Sequence, residues 1–211
     1  MFIQLWIFIG LTIITFSSFS VAAEPTLSEK AYSPDMGVII IQVTWGCGQF
    51  ENAQLQKLIF TKSPIEKNEH VFIELKTPSR LLVEDEFLAY AFVVQPGKYV
   101  LTAFDVKAAR SKKDIIHITG SKDNLVKDGK PIGGSFTVNR GEIVYIGHFG
   151  LDCGAEPFLW RYYVDGREEF ERYIKDFRQT YPFLEKVPVK FRLFSTEILG
   201  NPYSLQNPTV R

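Results

Sequence analysis

Ala89-Tyr90-Ala91-Phe92-Val93-Val94-Gln95-Pro96-Gly97-Lys98-Tyr99-Val100-Leu101-Thr102-Ala103-Phe104-Asp105 consists of two apolar runs of strand length separated by a Pro-Gly pair. Proline presets its own φ and glycine readily takes a positive one, so the pair suits the two central positions of a type II turn. The spacing predicts a hairpin. Side chains alternate along a strand, which sets Val100, Thr102, Phe104 and Val106 on one face and Tyr99, Leu101, Ala103 and Asp105 on the other. One of these faces is expected to be core.

Similar runs lie on both sides. Val38-Ile39-Ile40-Ile41-Gln42-Val43-Thr44-Trp45 is rich in β-branched residues and too short for a typical helix before the glycines that follow, so it reads as a buried strand. Residues 55–61 and 70–76 read as further strands bounded by Pro, Asn or charged residues. A second hairpin is expected from Gly134-Ser135-Phe136-Thr137-Val138 and Glu142-Ile143-Val144-Tyr145-Ile146-Gly147, joined through Asn139-Arg140-Gly141. The run 158–164 is another strand, with Phe158, Trp160, Tyr162 and Val164 expected on its core face. The period then changes. Phe170, Tyr173, Ile174, Phe177 and Tyr181 fall at helical spacing between a capping Asp165 and Pro182, which predicts an amphipathic helix at about residues 166–180. Val187, Val189, Phe191 and Leu193 alternate in a final strand. The fold expected is mainly β: an antiparallel β-sandwich with one α-helix in its C-terminal region.

The first 23 residues carry no Lys, Arg, Asp or Glu and end in Val21-Ala22-Ala23 before Glu24. An apolar core with small residues three and one before the cut is the pattern of a signal peptide, so export to a periplasm or to the medium is expected. An uncleaved anchor is the rival reading, since about 20 apolar residues can span a bilayer, but the serines at 17, 18 and 20 favour processing. After cleavage no stable membrane anchor is expected. Residues 24–36 read as an irregular lead-in, 37–199 as a single domain and 200–211 as a loose tail.

Lys plus Arg and Asp plus Glu each number 24, so no net charge recruits nucleic acid. The local excess at Lys107-Ala108-Ala109-Arg110-Ser111-Lys112-Lys113 reads as a solvated loop. The two cysteines, Cys47 and Cys153, are expected to form one disulfide in an oxidising compartment, worth up to about 4.7 kcal/mol in the chain-entropy model.

The segments 95–101 and 136–147 resemble those of small bacterial exported proteins and lipoproteins with prealbumin-like or immunoglobulin-like β-sandwich domains, many of them uncharacterised. The resemblance runs over about residues 37–164. It implies a sandwich and a bacterial envelope setting, and transfers no catalytic residue. The chain departs from the lipoprotein members in having no cysteine at the new amino terminus.

Three kinds of site were weighed. Cys47, His148 and Asp152 have the residue types of a cysteine hydrolase, but Cys153 competes as a disulfide partner for Cys47. His70, His117 and His148 match no short zinc motif, and Glu84 with Glu86 is a common loop pairing. No catalytic residue, metal or cofactor is therefore expected. Aromatic recognition of a protein or glycan ligand is the third kind, with Trp45, Trp160 and Tyr163 as candidate contacts; packing around the bridge is its bland counterpart. The expected function is a non-enzymatic binding or envelope-associated module. A secreted hydrolase whose site is assembled from distant residues and a homo-oligomer pairing through a sheet edge are the alternatives.

Overall fold

The computed structural model describes residues 33–47, 50–65, 71–78, 87–111, 113–152, 158–162 and 167–199. The expected signal, the start of the lead-in and the tail from 200 lie outside them. In chain order the strands are β1 Gly37–Val43, β2 Gly46–Cys47, β3 Phe50–Ser63, β4 Phe72–Lys76, β5 Leu88–Val94, β6 Gly97–Ser111, β7 Asp114–Gly120, β8 Ser135–Val138, β9 Ile143–Asp152, β10 Phe158–Tyr162 and β11 Val189–Phe191. A short helix α1, Lys122–Leu125, follows β7, and α2, Arg167–Thr180, lies between β10 and β11. The chain is mainly β, with two sheets.

One sheet has the order β10-β9-β1-β5, with β11 also on β9; the other has β2-β3-β6-β7, with β4 also on β3 and β8 on β6. Two corrections to the sequence reading follow. First, the sheets are not wholly antiparallel: β9 runs parallel to both β1 and β11. Second, neither glycine turn makes a hairpin. β5 pairs with β1 in the first sheet, whereas β6 pairs with β3 and β8 in the second, so Pro96-Gly97 carries the chain from one sheet to the other. Asn139 to Glu142 does the same between β8 and β9. Gly97 adopts φ +152°, as the positive-φ reading requires, but the strands it joins have other partners.

The expected basic loop is instead part of a true hairpin. β6 extends to Ser111 and β7 begins at Asp114, with Ser111 opposite Asp114 and Lys107 opposite His117. Lys107 is exposed and Ala108 is buried, so the cluster is carried on a pleated strand rather than a free loop. The pattern of small buried alanines between cations is what a half-covered strand requires.

Bulges reset the faces. Tyr99 and Leu101 point into the core, but so do Phe104, Val106 and Ala108, because Thr102 has no opposite number between the pairs Phe60–Leu101 and Ile59–Ala103. One extra residue reverses the parity of everything beyond it. The Thr102 hydroxyl is held by the Thr61 hydroxyl at 2.7 Å. On β3 the extra residue is Gln56, whose carbonyl accepts from the Thr77 amide at 3.1 Å. On β10 it is Leu159, fully buried, that joins the core, and Trp160 is only half-buried; the face expected from Phe158 and Trp160 is therefore the wrong one.

Two apolar cores result. The first gathers Ile39, Ile41, Val43 and Phe149 from one sheet with Leu55, Leu58, Phe60, Tyr99 and Phe136 from the other. Phe60 meets the rings of Phe136, Phe149 and Phe194 edge-on at 5.6, 5.7 and 5.8 Å. The second lies on the opposite face of the first sheet, where Val38, Ile40, Ala91, Ile143 and Tyr145 are covered by Phe170, Ile174 and Phe177 of α2. β1 is thus buried on both faces, which is why it reads as a continuous apolar run.

Candidate functional site

The second core contains a buried polar pair. Gln42 is 6 % exposed and His148 is 3 % exposed. Gly147, at φ +113°, puts a bulge into β9, so that Ile40 pairs with Tyr145 but Gln42 pairs with His148. Without that extra residue Tyr145 and His148 would lie on opposite faces. With it, both face α2. The His148 ring stacks on Phe87 at 4.6 Å between centroids and meets Tyr173 of α2 edge-on at 4.9 Å and Tyr145 at 5.8 Å. Its Nε2 donates to the Gln42 carbonyl oxygen, which assigns the proton of the neutral ring to Nε2. Burial pushes the imidazole down to about 3, so it is neutral at ordinary pH. The signal for this box was present in the sequence as one Gln inside an otherwise apolar β1, but the strand carrying His148 was expected to stop at Gly147.

The expected contacts and catalytic types fall in different places. Trp45 is 4 % exposed and belongs to the first core; its Nε1 donates to the Tyr90 hydroxyl at 2.8 Å, and the rings meet edge-on. It is packing, as a Trp beside a bridge often is, and presents no ring face to a ligand. Trp160 sits opposite Gly150, half-buried. Tyr163 lies outside the described residues, as do Cys153, His70, Glu84 and Glu86. Cys47 is 8 % exposed, disulfide-bonded and packed in the first core. His148 faces α2 on the other side of the same sheet, and Asp152 is exposed at the end of β9, so the three residue types weighed for a hydrolase are not brought together. His117 is on β7, bonded through Nδ1 to Asp105 at 2.9 Å. Among the described residues no three His, Cys, Asp or Glu side chains are grouped to hold a metal.

A second polar knot secures the crossing at 139–142. Glu142 receives Arg192 Nη1 at 2.9 Å and Lys190 Nζ, and accepts from the Asn139 amide at 3.0 Å. Burial opposes ionisation of Glu142, but Arg192, Lys190 and Asn139 together outweigh it and hold the carboxyl down to about 2. The same Arg192 Nη1 donates to the Thr137 carbonyl at 2.8 Å, which ties β8 to the segment after β11. The knot is structural: its charges compensate one another.

The surface offers a third feature. The exposed large hydrophobic residues are Phe72, Leu88, Ile115 and Ile198, and the first three sit on β4, β5 and β7. Each of those strands has a single partner among the described residues, so each is a sheet edge. No described helix is long and apolar enough to cross a membrane. Comparison with family models, with curated proteins and with solved structures finds no match.

Proposed function

We propose that this chain is an exported, non-enzymatic binding or envelope-associated module of the kind its sequence resembles, a two-sheet sandwich backed by one helix. The observation that carries the binding reading is the placement of Phe72, Leu88 and Ile115 on edge strands, at 51, 39 and 50 % exposure. Edge strands offer unpaired backbone groups, and proteins ordinarily guard them with charge or proline rather than decorate them with apolar side chains. A partner that adds a strand or covers the edge would satisfy both the backbone and the apolar side chains. The signal-like residues 1–23 place the module outside the cytoplasm. A bridge between Cys47 and Cys153 would suit that compartment, and β2, which carries Cys47, lies against β9, which ends one residue before Cys153.

Two measurements test this. Intact mass of the protein recovered from the exporting compartment, before and after reduction and alkylation, is expected to start at Glu24 and to accept alkyl groups only once reduced. Photo-crosslinking residues placed at Phe72, Leu88 or Ile115 are expected to give a discrete adduct in the producing cells, and one at Glu171 on α2 to give none. Equal labelling at all four positions, or adducts from α2 alone, would overturn the edge-binding reading.

A further inference from the structure

The β7 edge differs from the other two in being self-complementary. Its sequence, Asp114-Ile115-Ile116-His117-Ile118-Thr119-Gly120, has no Lys or Pro, and its only described partner is β6. Ile116 and Ile118 are half-buried and pack against the first core at its rim, so that core is incompletely closed along this edge. The flanking charges are Lys113 and Asp114 at one end and Lys122 and Asp123 at the other. An antiparallel copy laid along β7 reverses that order. It sets Asp114 against Lys122 of the second copy and Lys113 against Asp123, and the two-fold symmetry repeats both pairs at the other end.

We propose that β7 is a homodimer edge, where a second copy of this chain pairs antiparallel about the middle of the strand and joins the two β6-β7 hairpins into one continuous sheet. Opposite residues on paired strands share a face, so the half-buried Ile116 and Ile118 of each copy extend the two cores across the junction, while Ile115, His117 and Thr119 line the outer surface. The two-fold axis stands perpendicular to the sheet, and alternation restricts the register to pairings centred on a residue, of which His117 and Ile118 keep the charged ends in reach. A second copy closes the edge without leaving another β7 exposed, which a heterologous partner added to one copy would not do. The inference goes beyond the binding reading above and does not depend on it, since β4 and β5 stay open in the dimer.

Sedimentation velocity of the full mature chain over a range of micromolar concentrations is the test. A species of twice the monomer mass is expected at low salt. Asp114→Lys sets like charges together at both ends and is expected to weaken the dimer about 10-fold, from two lost pairs of surface strength and two new repulsions. Adding Lys122→Asp to that variant restores opposite charges and is expected to recover most of the affinity. Both changes are at exposed positions, and circular dichroism checks that each variant folds. A protein that stays monomeric throughout the range overturns the proposal. A dimer indifferent to Asp114→Lys, or weakened equally by Asp114→Lys and the double change, places the interface elsewhere and overturns it as well.

Discussion

The turns at Pro96-Gly97 and at Arg140-Gly141 look like hairpin turns and are crossings between sheets; the turn between Ser111 and Asp114 looks like a basic loop and is a hairpin. The difference lies in what a turn specifies. A Gly at positive φ determines that the chain reverses or bends, but the partner of the next strand depends on which sheet has a vacant ladder and on which face is apolar. At β6 both neighbouring ladders are taken by β3 with β8, and β5 meets β1 instead. Two sheets joined by such crossings share one core, whereas a hairpin tip contributes little to it.

That contrast predicts the largest loss at the shared core. Phe60→Ala removes the ring that meets Phe136, Phe149 and Phe194, and is expected to cost about 3–5 kcal/mol in urea unfolding. A cost under about 1 kcal/mol would mean that the sheets are stabilised separately. Next comes the box on β9. The folded His148 value of about 3 lies below the ordinary 6.5, so the stability it confers is complete above about pH 6.5 and declines as the pH falls from there towards 3. The expected loss is about 2 kcal/mol by pH 5, and His148→Phe should flatten that portion of the pH profile.

The crossings themselves come third. Gly97→Ala forces a side chain onto φ +152° with its Cβ 2.8 Å from Lys62 Cε, and is expected to cost about 1–3 kcal/mol. By comparison, inserting Gly-Ser after Lys113 lengthens only a hairpin tip and should cost about 0.6 kcal/mol or less. Equal costs would erase the distinction between crossing and tip. The smallest effect is at the second crossing. Glu142→Gln loses a carboxylate whose folded value is lowered to about 2, so its contribution is present above about pH 4.5 and lost as the pH falls through 2. With solvent screening the expected cost is about 1 kcal/mol at pH 7 and little at pH 2, read from paired denaturation curves.

Local chemistry carried much of the strand and helix pattern. The β-branched run at β1 and the helical spacing of Phe170, Ile174 and Phe177 both reflect short-range periodicity, and α2 occupies Arg167–Thr180 where residues 166–180 were expected. The faces were harder to read. Alternation was right for Tyr99 and Leu101 and wrong beyond them, because Thr102 adds a residue that no period of two can anticipate. Likewise Trp45, singled out as a ligand contact, is held inside by Tyr90, a residue 45 positions away. The His148 box needed a bulge at Gly147, a partner on β1 and a ring from α2, and none of these is near another in sequence.

The sequence by itself determined where the chain is extended, where it is helical and where glycine lets it bend, since each depends on a few neighbouring residues and their sterics. Only the tertiary structure decided which strands share a sheet, which pairs run parallel and which side of each strand is core. Those outcomes rest on ladders and contacts between distant segments, where a single inserted residue exchanges inside for outside.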